Sequence, residues 1–571
     1  MKASDFIADF LNKKGIKSVF ELSGGMITHI LDSLNQTTDI KIITMHHEQA
    51  AAFAAEGYAR VTGLPGVALA TSGPGATNLL TGMGSCYFDS TPAIFITGQV
   101  NRHEQKGDKE IRQLGFQETD IVAMAKPITK AAFLVNNPDD LEDVLESAFE
   151  IACQGRPGPV LIDIPMDVQR SQIFPKSKFV TSKSEAGIDV KILENLIEDI
   201  KKAKKPLILA GRGVKAAAAQ SDFNLFVEFT KVPVITTLLG LDTISFDDEL
   251  RVGFIGSYGN RWANIAFGEC DLLVVLGSRL DIRQTGADTK FIENRKIYHI
   301  DCESAEINNR VKGCVPITAD LKDFFKQFKA KAINQGFVLA KMWLNEIQEL
   351  KGLWPDINEL TPTGINPNKF MHALSKKGAA KVYLADVGSH QMWSAQSLEL
   401  RNNQHFLTSG GMGAMGFSLP AGIGACIGLD NEPVVVIIGD GCMQINIQEL
   451  QTIVRNNLKV KIIVLNNQTL GMIRQFQDSY FESRYQSTYW GYSAPDFTKV
   501  SIAYGIDAMT IERPEEIDDA VAWLWTEENK DKPQLLQVMV DPHTNTYPKI
   551  AFGKPITEME PFSKPIEMEG T

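Results

Sequence analysis

Short apolar runs ending in glycine, asparagine or aspartate recur along this chain, and stretches of helical periodicity separate them. They include GVALATSG, TPAIFITGQ, PVLIDIP, PLILAGRG, DLLVVLGSR, KIYHID, KVYLADVG, PVVVIIGDG and VKIIVLNN. Strands rich in Val, Ile and Leu that alternate with helices predict parallel sheets buried on both faces. The expected fold class is α/β, with three doubly wound parallel-sheet domains. Two charged segments, KSKFVTSKSE at 176–185 and KGLWPDINELTPTGINPN at 351–368, read as linkers. They place domains at 1–178, 186–348 and 364–545, and a Pro-rich arm at 546–571. In such folds ligands sit at the carboxyl ends of strands.

The 571 residues exceed one ordinary core, which agrees with several domains. A formal net charge of −12 without a dense basic cluster argues against nonspecific nucleic-acid binding, though not against an anionic small ligand. The seven cysteines are scattered and form no C-x-x-C pair, which suits reduced thiols and predicts a cytoplasmic protein. The N-terminal segment MKASDFIADFLNKKG carries acids and lacks a signal peptide's apolar core. No run approaches the roughly 20 apolar residues of a membrane span.

The most informative stretch is GDGCMQINIQELQTIVRNNLKVKIIVLNN. Asp440 and Asn467 close two consecutive apolar strands of one β–α–β unit, so both fall on one sheet edge. A carboxylate and an amide oxygen are hard ligands of the kind Mg²⁺ takes. Glycines beside them allow close backbone approach, and the helix N-terminus beyond suits a phosphate. A second stretch, MHHEQAAAFAAEGYAR, puts Glu48 where an apolar strand hands over to an apolar helix. An acid in a first turn complements the helix macrodipole, which is the ordinary reason to find one there.

The GDG…NN pattern resembles the signature of the thiamine diphosphate-dependent decarboxylases and carboligases. Within that superfamily the chain resembles the acetohydroxyacid (acetolactate) synthase group nearly end to end. HEQAAAFAAEGYARVTGLPGVALATSGPGATN, FQETD, SGGMGAMGFSLPAGIGA, GDG…NIQEL and NNQTLGMIRQFQ carry the likeness. The resemblance implies a pyrimidine-binding first domain, a flavin-binding type of central domain and a diphosphate-binding third domain. It places Glu48 at the activating glutamate, which hydrogen-bonds the aminopyrimidine and favours the tautomer that acts as internal base. A dry pocket favours such sharing of a proton. Phe116, Gln117 and Lys130 match further catalytic-pocket positions. Cofactor-binding positions carried over are Gly24, Ser72, Gln391, Gly413, Met415 and Gly441. Asp440, Asn467 and the backbone oxygen of Thr469 match the Mg²⁺ ligands.

The central block carries LAGRGV, GSRLDIRQTG and HIDCESAEI, which resemble the flavin-binding segments of that group. Arg212, Gly213, Arg279, Asp281, Arg283, Asp301 and Glu303 are the implied contacts, with the acids suited to ribose hydroxyls. The expected cofactors are thiamine diphosphate, Mg²⁺ and a structural FAD that does no redox chemistry. Because Glu48 lies in the first domain and the Mg²⁺ ligands lie in the third, the family pattern implies a homodimer or homotetramer.

Departures concentrate on one side of the site. The usual G-Y-P-G-G segment is ELSGG, Glu21 to Gly25, so Leu22 and Ser23 replace the aromatic and the proline. The acceptor-pocket Trp of R-Q-W-Q is Phe476. The segment between Gln99 and Phe116 is longer and charged, with Arg102, Lys106, Lys109 and Arg112. The resemblance thus implies decarboxylation of pyruvate and transfer of its two-carbon unit to a keto acceptor. A second pyruvate gives 2-acetolactate. The departures leave a nucleotide-linked keto-deoxysugar as the alternative acceptor, for branched-chain sugars of surface polysaccharide such as lipopolysaccharide. A 2-keto acid decarboxylase, a pyruvate oxidase and a catalytically silent scaffold are the other readings. No membrane or nucleic-acid partner is expected.

Overall fold

The computed structural model describes residues 1–174, 187–287, 293 and 295–566. The first linker, 176–185, lies outside the described residues, as does the end of the C-terminal arm beyond 566. Three six-stranded sheets follow one another along the chain, and every strand pair in them is parallel.

The first sheet orders its strands Lys41–Thr44, Ser18–Leu22, Gly66–Ala70, Ala93–Gln99, Pro159–Pro165 and Ala131–Leu134. The second has Val315–Thr318, Lys296–Asp301, Leu272–Leu276, Pro206–Ala210, Val234–Thr236 and Arg251–Phe254. The third has His405–Leu407, Val382–Ala385, Val434–Gly439, Val460–Asn466, Gln534–Met539 and Asp507–Ile511. Val434–Gly439 and Val460–Asn466 are buried at every position, as near-continuous apolar runs in doubly covered sheets must be.

The first and third domains share one core. The helix Glu48–Thr62 starts where His47 Nδ1 accepts from the Gln49 N–H at 3.0 Å. It ends at Gly63, whose φ of +74° is the left-handed C-cap that glycine takes readily. Its alanine-rich face lies against the helix Ser418–Gly428 of the third domain. A Cβ on Gly57 would stand 2.0 Å from the Ala421 carbonyl oxygen, and one on Gly424 would stand 1.8 Å from that of Ala54. Only glycine allows backbones that close. Phe53 meets Phe417 edge-on across this joint at 5.4 Å.

The second linker is partly ordered structure. The helix Lys341–Leu353 runs into it, Asp356–Asn358 forms a 3₁₀ turn, and the helix Pro367–Lys377 begins within it. The C-terminal arm folds back as a hairpin of Lys549–Ile550 with Met559–Glu560. Its Ile550, Ile556 and Met559 join the apolar cluster of the central domain. Arg261 fixes both pieces, pairing with Glu359 at 2.6 Å and donating to the Glu560 carbonyl at 3.0 Å. No helix among the described residues is long and apolar enough to cross a membrane.

Candidate active site

The third sheet brings its predicted ligands together. Gly439 is the register partner of Leu465, so Asp440 and Asn467 emerge side by side from neighbouring strands. Asp440 is buried, and its Oδ1 accepts from the Gly441 N–H at 3.0 Å while its Oδ2 has no partner. Burial pushes its carboxyl up to about 7, against hydrogen bonds that lower it. The Tyr492 hydroxyl, also buried and unpartnered, lies beside it, and burial with the nearby Asp440 charge raises that phenol. Asn467 Oδ1 accepts from the Thr469 N–H at 3.3 Å, and Thr469 Oγ1 donates to the Thr488 carbonyl at 2.8 Å. Ser389 Oγ, in the first turn of the helix Ser389–Ser397, is a third buried polar atom with no partner. A Cβ on Gly471 would approach both it and Asn467 Nδ2 at 2.9 Å.

Buried polar atoms left unpaired are costly, and their convergence on one strand edge marks a polar ligand's place. A carboxylate, an amide and a hydroxyl at a helix N-terminus fit Mg²⁺ and a diphosphate. Asp386, His390 and Cys442 also gather within 4.8 Å of one another. The Asp386 oxygens are already filled, however, by the N–H groups of Val387, Gly416 and Ser418 and by Ser418 Oγ. His390 Nε2 accepts from the Gly439 N–H at 3.2 Å. Asp386 thus holds the end of the Gly-rich loop at Gly416 and Ser418.

That loop carries Gly413 and Met415. Gly413 has φ +66° with open space where a Cβ would point, and Met415 Cε comes within 3.4 Å of a Cβ placed on Gly441. Gln391 ties the loop down through Thr408 Oγ1 at 2.6 Å. From the other domain, Asp89 accepts from the N–H groups of Gly410 and Gly411 at 2.9 and 2.7 Å, while Arg60 pairs with Asp89 at 2.7 Å.

The first domain builds a separate half. The Glu48 side chain is buried, and its Oε2 accepts from Asn78 Nδ2 at 2.9 Å. Its Oε1 faces Gly75, where a Cβ would stand 3.2 Å away. Gly73 of the same loop backs onto Gln117, and Gly24 backs onto Thr71. Ser72 Oγ is buried without a partner. One stretch, Thr71–Asn78, therefore packs against Glu48, Gln117 and Gly24. Among the described residues no hydrogen bond joins the Glu48 side chain to Gly413, Met415, Asp440 or Asn467. Phe116 is 81% exposed. Lys130 turns away: its Nζ donates to the carbonyls of Ile151 and Gln154, closing the end of the helix Leu141–Cys153.

Beside both halves a cleft, partly open to solvent, runs along the central domain. Arg212, Gly213, Arg279, Asp281, Arg283 and Asp301 line it, as do Asp89, Gly410 and Gly411. Arg212 is half-buried with its Nε enclosed and unpartnered, and desolvation pulls its guanidinium down to about 10. An elongated ligand with a diphosphate and a ribose, such as FAD, suits that donor set. Glu303 lies outside the lining and pairs instead with Arg156 at 3.0 Å.

Asn78, Ser389, Tyr492, Asp89 and Arg60 were not singled out from the sequence. Asn78 sits inside the quoted TSGPGATN motif and Ser389 stands two residues before Gln391, so those neighbours were the available signal. Tyr492 reaches Asp440 from a distant loop, and nothing in its spacing announces that.

Fold and site together define a thiamine diphosphate-dependent enzyme. Family models agree over all three domains: residues 1–124 match the N-terminal TPP binding domain of thiamine pyrophosphate enzymes, 193–328 the central domain and 386–538 the C-terminal TPP binding domain. The chain is 36% identical over 560 residues to the acetolactate synthase isozyme 2 large subunit of Escherichia coli, covering 98% of this chain and 99% of that one. It is 37% identical over 584 residues to a probable acetolactate synthase large subunit of Methanocaldococcus jannaschii, covering 100% and 96%. With acetolactate synthase 1, chloroplastic, of Nicotiana tabacum it shares 37% over 571 residues, covering 97% and 84%. The chain belongs to the acetolactate synthase large-subunit family, and it is a carboligase of that type.

Proposed function

We propose that this enzyme decarboxylates pyruvate and transfers the acetyl unit to a second pyruvate, giving 2-acetolactate, as a cytosolic homodimer or homotetramer with Mg²⁺ and a structural FAD. Bound thiamine diphosphate supplies the carbon acid that adds to the keto group and the electron sink for loss of CO₂. Asp440, Asn467 and the Thr469 carbonyl would hold Mg²⁺, with Ser389 facing the diphosphate. Gly413 and Met415 would shape the bend of the cofactor. Glu48 would share a proton with the pyrimidine ring nitrogen.

The observation that carries the reading is Glu48, a buried carboxylate with one oxygen fixed by Asn78 and the other facing a glycine. That geometry leaves an oxygen for a ligand. The exposure of Phe116 and of the loop at Gly413 supports a site completed by a second copy. The test is Glu48→Gln: pyruvate consumption should fall by about 10²–10⁴, the range for a lost acid–base group, while cofactor binding persists. Unimpaired turnover in that variant would remove Glu48 from its role.

One observation favours a second acceptor. Lys109 and Arg112 are exposed, Lys106 is half-buried, and none of the three forms an ion pair among the described residues, in the loop that leads to Phe116. A nucleotide-linked keto sugar would present diphosphate charge to them. Turnover with such sugars exceeding that with pyruvate alone would select this reading.

A further inference from the structure

Gln117 stands in the left-handed region at φ +66°, where a residue with a side chain persists only when its surroundings hold it. It presses on the stretch whose Gly75 and Asn78 meet the Glu48 carboxylate: a Cβ on Gly73 would lie 2.9 Å from Gln117 Cβ. A line of hydrogen bonds runs from the sheet interior to this turn. The Thr119 carbonyl accepts from Gln99 Nε2 at 2.8 Å, and the same nitrogen donates to Asp163 Oδ2 at 2.9 Å. Asp163 Oδ1 accepts from Thr97 Oγ1 at 2.7 Å, and Gln99 Oε1 accepts from the Val100 N–H at 3.0 Å. Thr119 Oγ1 reaches the Gln117 carbonyl at 3.4 Å.

Thr97 and Asp163 are register partners on adjacent strands, and Asp163 is buried among apolar neighbours. An acid in such a place is destabilising unless both oxygens are used. Burial pushes its carboxyl up to about 7, with Asp120 raising it further and the Thr97 and Gln99 bonds lowering it. An alanine or valine would suit the strand better. Both oxygens of Asp163 are engaged, and one of those bonds fixes the side chain that holds Thr119.

We propose that Asp163 is a positioning residue: through Gln99 and the Thr119 carbonyl it holds Gln117 in its left-handed conformation against Gly73, in the catalytic pocket. The inference rests on the reading that Gln117 belongs to the catalytic pocket.

The test uses the holoenzyme and three variants. Asp163→Val removes both acceptors at similar volume, Asp163→Asn keeps an acceptor for Gln99, and Gln99→Met breaks the line elsewhere should the valine variant not fold. Two readouts are taken: amide hydrogen exchange across residues 115–120, and the share of consumed pyruvate that appears as acetolactate rather than acetaldehyde. Asp163→Val and Gln99→Met should speed exchange in that segment by about tenfold, the equivalent of one buried hydrogen bond, and move product toward acetaldehyde. Thiamine diphosphate affinity should stay within about twofold of wild type, since those contacts are elsewhere. Asp163→Asn should restore both readouts. Unchanged exchange in a folded Gln99→Met or Asp163→Val variant would overturn the proposal, as would an asparagine variant that behaves like valine. Should the wild-type protein make no acetolactate, the acceptor reading fails on its own, and the exchange readout still decides the positioning role.

Discussion

Gly424→Ala sets two physical effects against each other. Gly424 lies inside the helix Ser418–Gly428, and replacing an interior helical glycine by alanine ordinarily stabilises by about 0.5–1 kcal/mol. Here the new Cβ would lie 1.8 Å from the Ala54 oxygen, 2.6 Å from its carbonyl carbon and 2.9 Å from its Cα. Those atoms are backbone of the facing helix and cannot rotate aside. Ordinary contact begins at 3.4 Å, so the helices must part by more than an ångström. Overpacking of this kind costs about 1–3 kcal/mol, with the upper end expected where backbone blocks backbone. The net result is a destabilisation of about 1–2 kcal/mol, or roughly 2–8 °C for domains of this size. One helix begins at Glu48 and the other follows Met415, so thiamine diphosphate affinity should fall as well. Calorimetry on apo and holo protein reads both. Gly352→Ala, in the helix Lys341–Leu353, is the control, because nothing lies within 4 Å of a Cβ there, and helix propensity alone should raise its transition slightly. A Gly424→Ala protein that melts above wild type would refute the close-approach argument, because propensity alone would then decide.

Other outcomes follow from single groups. Asp440→Asn should raise the melting temperature of the metal-free protein above pH 7, because it removes a buried carboxylate whose Oδ2 has no partner. The same change should abolish most of the stabilisation that Mg²⁺ and thiamine diphosphate give wild type. His372 sits between Asp356 and Glu399 at 2.9 Å each, and those bonds raise its pKa despite burial. The stability it contributes is fully present below about 6.5, the unfolded value. It is lost as pH rises through the higher folded value. His372→Asn should flatten that limb of a stability–pH profile, and an unchanged limb would assign it to other groups.

Much of the arrangement was legible from the chain because local rules agree with the global fold. Val434–Gly439 and Val460–Asn466 announce themselves as buried parallel strands, and their shared terminus makes Asp440 and Asn467 neighbours without further knowledge. Glu48 was visible as an acid at an apolar strand–helix junction. What stayed hidden depends on contacts between distant segments. Lys130 follows a turn and looks free, yet the end of a helix that begins at Leu141 captures its ammonium. Glu303 stands where a ribose-binding acid is expected, but Arg156 of the first domain takes it. The tail reads as a Pro-rich arm, and only tertiary structure shows that its Ile550 and Met559 fill the central domain. Asp163 reads as one polar residue inside PVLIDIP, with no sign that Gln99 and Thr119 depend on it.

The central claim is that a second pyruvate captures the two-carbon unit. Pure enzyme with pyruvate, thiamine diphosphate, Mg²⁺ and FAD should release one CO₂ and form one 2-acetolactate for every two pyruvates consumed. Acetaldehyde or acetate as the main product, one for each pyruvate consumed, would contradict it.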